Sequence, residues 1–330
     1  MKNKFFILVI LFQTVGLALS TPQKYESIFN FGDSLSDTGN LLLSGALVFP
    51  VIGQLPYGET FFQHATGRCS DGRLIIDFIA EAFSLPYLEP YLAVKQGQSS
   101  PHGVNFAFSG ATALDAEFFF QRNMGSILWT NNSLNVQLGW FRKLKSDLCS
   151  DNEFVGAIAN ATSALIEEGA VELMVPGNFP IGCSAVYLTL FESPKKDDYD
   201  RHGCLKAFNG FAKYHNNQLK QALDTLRQKY PHVRIFYADY YGAAMRYVHA
   251  PLHHGFYGGT LKACCGGGGP YNFNISARCG HPGSEACKDP SVYSNWDGIH
   301  LTEAAYRHIA LALINGSSSH PPLISSPLSD

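Results

Sequence analysis

The sequence has 330 residues, 46% of them hydrophobic and 15% charged, with 24 Lys+Arg, 27 Asp+Glu and a net charge of −3. That is enough chain to bury a sizeable core, and too little charge for a disordered protein. The mild acidity argues against a nucleic-acid partner, which calls for a basic face.

Lys2 and Lys4 precede an apolar run from Phe5 to Leu19, and Ala18-Leu19-Ser20 offers small residues for cleavage. This predicts a secretory signal peptide over residues 1–20, too short for a membrane anchor and followed by no comparable run. Residues 21–330 then form one domain, since no linker, repeat or low-complexity tract divides them.

Ile28-Phe29-Asn30-Phe31 has the alternation of a strand and runs into Gly32-Asp33-Ser34, with Ser, Asp, Thr, Gly and Asn crowding on to Asn40. The pattern reads as a buried strand ending abruptly in a turn, with Ser34 at its C-terminal end. Ligands of open parallel sheets sit beyond those ends, so Ser34 can point its hydroxyl into a site. On these residues alone it can equally cap a short helix.

A polar, Pro/Gly-rich stretch follows from Ser44 to Gly72. Ser70 and Asp71 then read as caps of a helix over Leu74–Phe83, whose apolar residues recur at helical spacing. Gly103–Phe108 is a second strand, followed by Ser109-Gly110-Ala111, and Val171–Gly177 is a short strand with a stop. Gly203–Tyr230 is a long amphipathic helix with Leu205, Phe208, Phe211, Leu219, Leu223, Leu226 and Tyr230 along one side, and His215 packed and hydrogen-bonded near it. Val233–Tyr240 is the last clear strand, and Leu301–Ile314 the closing helix, stopped at Asn315-Gly316. Strands alternating with helices predict an α/β fold, its mostly parallel sheet covered on both faces.

The eight cysteines should mostly pair in a secreted chain. Cys183 and Cys204 flank one loop, whereas Cys264, Cys265, Cys279 and Cys287 crowd another and leave their pairing open, with disulfides favoured over zinc. Cys69 and Cys149 remain, and a bond between them is a guess. Glycosylation sequons stand at Asn131, Asn160, Asn274 and Asn315. Gly266–Gly269 neither follows a strand nor opens a helix, so it is no phosphate loop, and His253-His254 reads as surface. No metal or organic cofactor is called for.

Near the C-terminus, Ser294-Asn295-Trp296-Asp297-Gly298-Ile299-His300-Leu301-Thr302 places an Asp three residues before a His. His300 there can take a proton from Ser34 while Asp297 holds its tautomer, the division of labour of a Ser-His-Asp hydrolase. Taken together, Phe31–Asn40, Gly67–Arg73, Gly103–Ala111, Val175–Cys183 and Trp296–Thr302 resemble the plant GDSL esterase/lipase family, of the SGNH-hydrolase group. The resemblance implies a three-layer sandwich around a mostly parallel, flavodoxin-like sheet. It also implies Ser34, Asp297 and His300 as catalytic residues, with the N–H groups of Ser34 and Gly110 as oxyanion donors.

One expected block is missing. The family carries, between the positions of Cys149 and Gly169, a strand ending in Gly-x-Asn-Asp whose Asn is the third oxyanion donor. Here Cys149-Ser150-Asp151-Asn152 runs almost directly into a helical stretch, and no Asn-Asp pair occurs anywhere. The sheet is therefore expected to be short of one central strand. The expectation is a secreted serine esterase or lipase acting on a small-molecule or lipid ester. The alternative is a catalytically impaired secreted glycoprotein.

Overall fold

The computed structural model describes residues 25–95, 100–145 and 157–323. The predicted signal peptide and Cys149 lie outside the described residues. In chain order the elements are β1 (Ile28–Asn30), α1 (Asn40–Leu43), α2 (Ile75–Ala82), β2 (Gly103–Asn105), α3 (Ala116–Phe120), α4 (Leu134–Lys145), α5 (Ala157–Glu167) and β3 (Glu172–Pro176), then α6 (Ala185–Leu190), α7 (Lys206–Lys229), β4 (Arg234–Ala238), α8 (Tyr240–His249), β5 (Gly259–Ala263), β6 (Tyr293–Asn295), α9 (Glu303–Ile314) and β7 (Ser319–His320).

The parallel pairing expected of an α/β protein is present. β1 pairs with β2 in parallel, Ile28 opposite Gly103 and Asn30 opposite Asn105. β3 pairs with β4 in parallel from Glu172–Arg234 to Pro176–Ala238, and β7 closes that sheet antiparallel. β5 and β6 form a third, parallel pair. Among the described residues β1 is bonded only to β2, and β3 only to β4 on its own side of the sheet.

Helices α2, α8 and α9 build the main core, with Leu74, Ile75, Phe236, Tyr306, Ile309 and Leu313 buried together. On α7 the buried stripe is Asn209, Ala212, Asn216, Leu219, Leu223 and Leu226. Phe211, expected on that stripe, is 59% exposed. Two asparagines take the inner positions instead. Asn209 accepts the N–H of Gly182 at 2.9 Å, and Asn216 bonds both the N–H and the C=O of Asn178, at 2.6 and 3.0 Å. A buried amide that satisfies loop backbone groups stabilises more than an aromatic ring would there. The side chain of His215 is only half-buried and makes no hydrogen bond among the described residues.

The caps of α2 also differ from expectation. Leu74 N–H donates to the Asp77 carboxylate at 2.8 Å, so α2 caps itself. Asp71 instead accepts the N–H of Glu303, the first residue of α9, at 2.8 Å, and Ser70 donates to the carbonyl of Leu301. Asp71 thus adds to the cap of the helix that follows His300, whose Thr302 hydroxyl accepts the N–H of Ala305, and Ser70 ties down the approach to it.

Asp77 also accepts two bonds from the buried Arg68, each 2.8 Å. Asp77→Ala leaves that guanidinium buried without a counter-charge, and should destabilise the fold by about 3–5 kcal/mol in denaturant unfolding.

Three disulfides form: Cys183–Cys204, Cys264–Cys287 and Cys265–Cys279. Cys69 is a free thiol, packed with Tyr57, Phe108 and Trp296. No helix among the described residues is long and apolar enough to cross a membrane, and no group of His, Cys, Asp and Glu among them could hold a metal ion.

Candidate active site

The parallel pairing of β1 and β2 continues past both strands. Phe106 N–H donates to the Asn30 carbonyl at 2.7 Å, and Phe108 N–H to that of Gly32 at 3.1 Å. Ser34 and Gly110 therefore leave the sheet at the same end, on adjacent chains. Asp33 makes the turn: its side chain accepts the N–H of Leu35 at 3.0 Å, and its carbonyl those of Ser36 and Asp37.

Ser34 caps no helix; Asp37 does. Its carboxylate accepts the N–H groups of Gly39, Asn40 and Leu41 at the start of α1, and also the N–H and the hydroxyl of Ser109, at 2.8 and 2.9 Å. One buried carboxylate thus joins the Ser34 loop to the Gly110 loop. Gln137 of α4 adds a second brace, accepting the N–H of Gly32 at 2.9 Å and donating to its carbonyl at 2.8 Å.

The other half of the site is the turn after β6. Asp297 Oδ1 accepts the N–H groups of Ile299 and His300, at 3.0 and 2.8 Å. Gly298 between them has φ +100°, and a Cβ there would lie 2.2 Å from the Phe273 ring, so only glycine lets the turn close. The turn brings both side chains together. His300 Nδ1 lies 2.7 Å from Asp297 Oδ2, and His300 Nε2 lies 2.8 Å from Ser34 Oγ. Tyr57, which no sequence pattern singled out, donates its hydroxyl to Asp297 Oδ2 at 2.8 Å.

Burial alone would raise the Asp297 carboxyl, but the charge and hydrogen bond of His300 and two backbone N–H groups hold it at about 2. Burial alone would lower His300, yet the adjacent Asp297 carboxylate outweighs it and raises the imidazole above the ordinary histidine range. With Asp297 ionised, the neutral ring carries its proton on Nδ1 and turns the lone pair of Nε2 to Ser34.

The N–H groups of Ser34 and Gly110 donate to nothing among the described residues. Gly110 sits at φ +84°, and an added Cβ would meet Trp129 Cβ at 2.8 Å. Of the sequons, Asn131, Asn274 and Asn315 are exposed and Asn160 half-buried on α5.

The GDSL-like lipase/acylhydrolase family profile matches residues 28–313. The chain belongs to this family. It is 49% identical to a GDSL esterase/lipase of Arabidopsis thaliana over 97% of this chain and 98% of that protein. It is 44% identical to a sinapine esterase of Brassica napus over 93% of this chain and 90% of that protein. These relatives identify this GDSL protein as a carboxylic ester hydrolase. The first alignment spans 366 positions, more than the 330 residues here, so that relative has residues without a counterpart in this chain.

Proposed function

We propose that this enzyme hydrolyses small-molecule or lipid esters through a Ser34–His300–Asp297 triad and an acyl-enzyme. The observation that carries this is the continuous chain of contacts, Ser34 Oγ to His300 Nε2 at 2.8 Å and His300 Nδ1 to Asp297 at 2.7 Å. Ser34 Oγ attacks the ester carbonyl while its proton passes to Nε2 of His300. The same proton goes to the departing alcohol, and water, deprotonated by His300, then clears the acyl group. Asp297 fixes the tautomer and stabilises the imidazolium, and Tyr57 shares that carboxylate. The unpartnered N–H groups of Ser34 and Gly110 receive the oxyanion.

His300 acts as a base only when neutral, and its proton is held by Asp297. The acid limb of kcat/KM should therefore have its midpoint above pH 6.5, measured with a neutral ester whose own ionisation is constant. A single limb centred near pH 4–5 would assign the step to a carboxylate instead.

Secretion follows from the apolar leader and agrees with three disulfides, which persist in oxidising compartments. Asn131, Asn160, Asn274 and Asn315 are then glycan sites.

A second reading is a catalytically impaired glycoprotein. It is favoured by the lack of a Gly-x-Asn-Asp block, whose strand would lie beside β1, and among the described residues β1 is bonded to β2 alone. Loss of one oxyanion donor costs about 10²- to 10³-fold in turnover. A fluorophosphonate probe separates the two readings. Labelling of the wild type that vanishes in Ser34→Ala supports the triad, and a folded, monodisperse wild type that stays unlabelled supports the impaired protein.

A further inference from the structure

We propose that Trp129 is a specificity-determining residue, the platform on which the aromatic part of an aromatic ester packs beside the oxyanion position. The inference rests on the esterase reading above and names the substrate class of that same site. Trp129 is pressed against Gly110, its Cβ 2.8 Å from where a Gly110 Cβ would stand. It is nevertheless 40% exposed, a large apolar surface left to solvent at the mouth of a polar site.

Its inner side is fixed by a run of aromatic contacts that ends in the triad. Trp129 tilts on Phe49 with ring centroids 5.8 Å apart, and Phe49 meets Tyr57 edge-on at 5.8 Å. Tyr57 is fully buried and bonds Asp297. The indole is thus held in register with the reacting groups. An aromatic group resting on a rigid aromatic wall gains from both burial and ring–ring geometry, whereas an acetyl or ethyl group reaches too little of it.

The test compares wild type, Trp129→Ala and Trp129→Phe on ethyl cinnamate, phenethyl acetate and ethyl acetate, with Ser34→Ala as blank. Trp129→Ala should lose about tenfold in kcat/KM on at least one aromatic ester and stay within about twofold on ethyl acetate. Trp129→Phe should keep most of the activity. The two aromatic esters show whether the acyl or the alcohol half uses the wall. Equal losses on all three esters, or no loss on either aromatic one, overturn the proposal.

A wild type no faster than Ser34→Ala on ethyl acetate would instead overturn the esterase reading. In that case calorimetry of ethyl cinnamate binding to Ser34→Ala still decides the role of Trp129. Binding weakened about tenfold by adding Trp129→Ala supports it, and unchanged binding refutes it.

Discussion

Replacing Ser34 with alanine should lower kcat on a soluble ester by about 10⁴- to 10⁶-fold, down to the level left by the oxyanion donors and binding alone. The Ser34 hydroxyl bonds only His300 among the described residues, so its removal takes one partner from Nε2 of that buried ring and disturbs nothing else. The unfolding free energy should therefore fall by no more than about 1–3 kcal/mol, and KM should change little. Because nucleophile and base act as one unit, adding His300→Ala to Ser34→Ala should cost almost nothing further. A Ser34→Ala enzyme retaining a tenth of its activity would place the nucleophile elsewhere.

Asp297→Asn should lower kcat by about 10⁴-fold with little change in shape. The carboxylate accepts from His300 Nδ1, whereas an amide turned toward that nitrogen would donate. The ring proton would then sit on Nε2, facing Ser34, and no lone pair would be left to take the serine proton. Asp297→Asn should also flatten the acid stability of the protein. In the fold this carboxyl sits at about 2, below the value of about 4 in an unfolded chain. It favours folding above about pH 4, and that contribution fades as pH falls toward 2. Denaturant melts of wild type and variant should converge over this window and differ most at neutral pH.

Much of the site could be read before the structure because its residues sit in local patterns. Gly32-Asp33-Ser34 needs a strand and a sharp turn, and Asp297-Gly298-Ile299-His300 closes on itself through one carboxylate. The bracing residues were not legible, because their partners are distant in sequence. Tyr57 meets Asp297 across 240 positions and Gln137 meets Gly32 across 105. Gln137 did leave a faint signal, a polar residue on the side of α4 that also carries the buried Leu138. The stripe on α7 misled at Phe211 because hydrophobic periodicity ignores loops that need buried amides, here supplied by Asn209 and Asn216. The caps at Ser70 and Asp71 misled because a loop can serve a helix far along the chain as readily as the next one.

The two halves of the proposed triad are held by different kinds of bond. Ser34 rests on strand pairing and on the Asp37 and Gln137 side chains, all indifferent to redox state. Asp297 follows Asn295 and Trp296, whose carbonyls are gripped by the N–H groups of Cys264 and Cys265 at 2.9 and 2.7 Å. Both of those cysteines are locked, to Cys287 and Cys279. A thiol reductant would therefore slacken the base and leave the nucleophile in place. Reduction would thus be felt first on the side of the base, where the backbone grip on residues 295 and 296 would lose its covalent anchors.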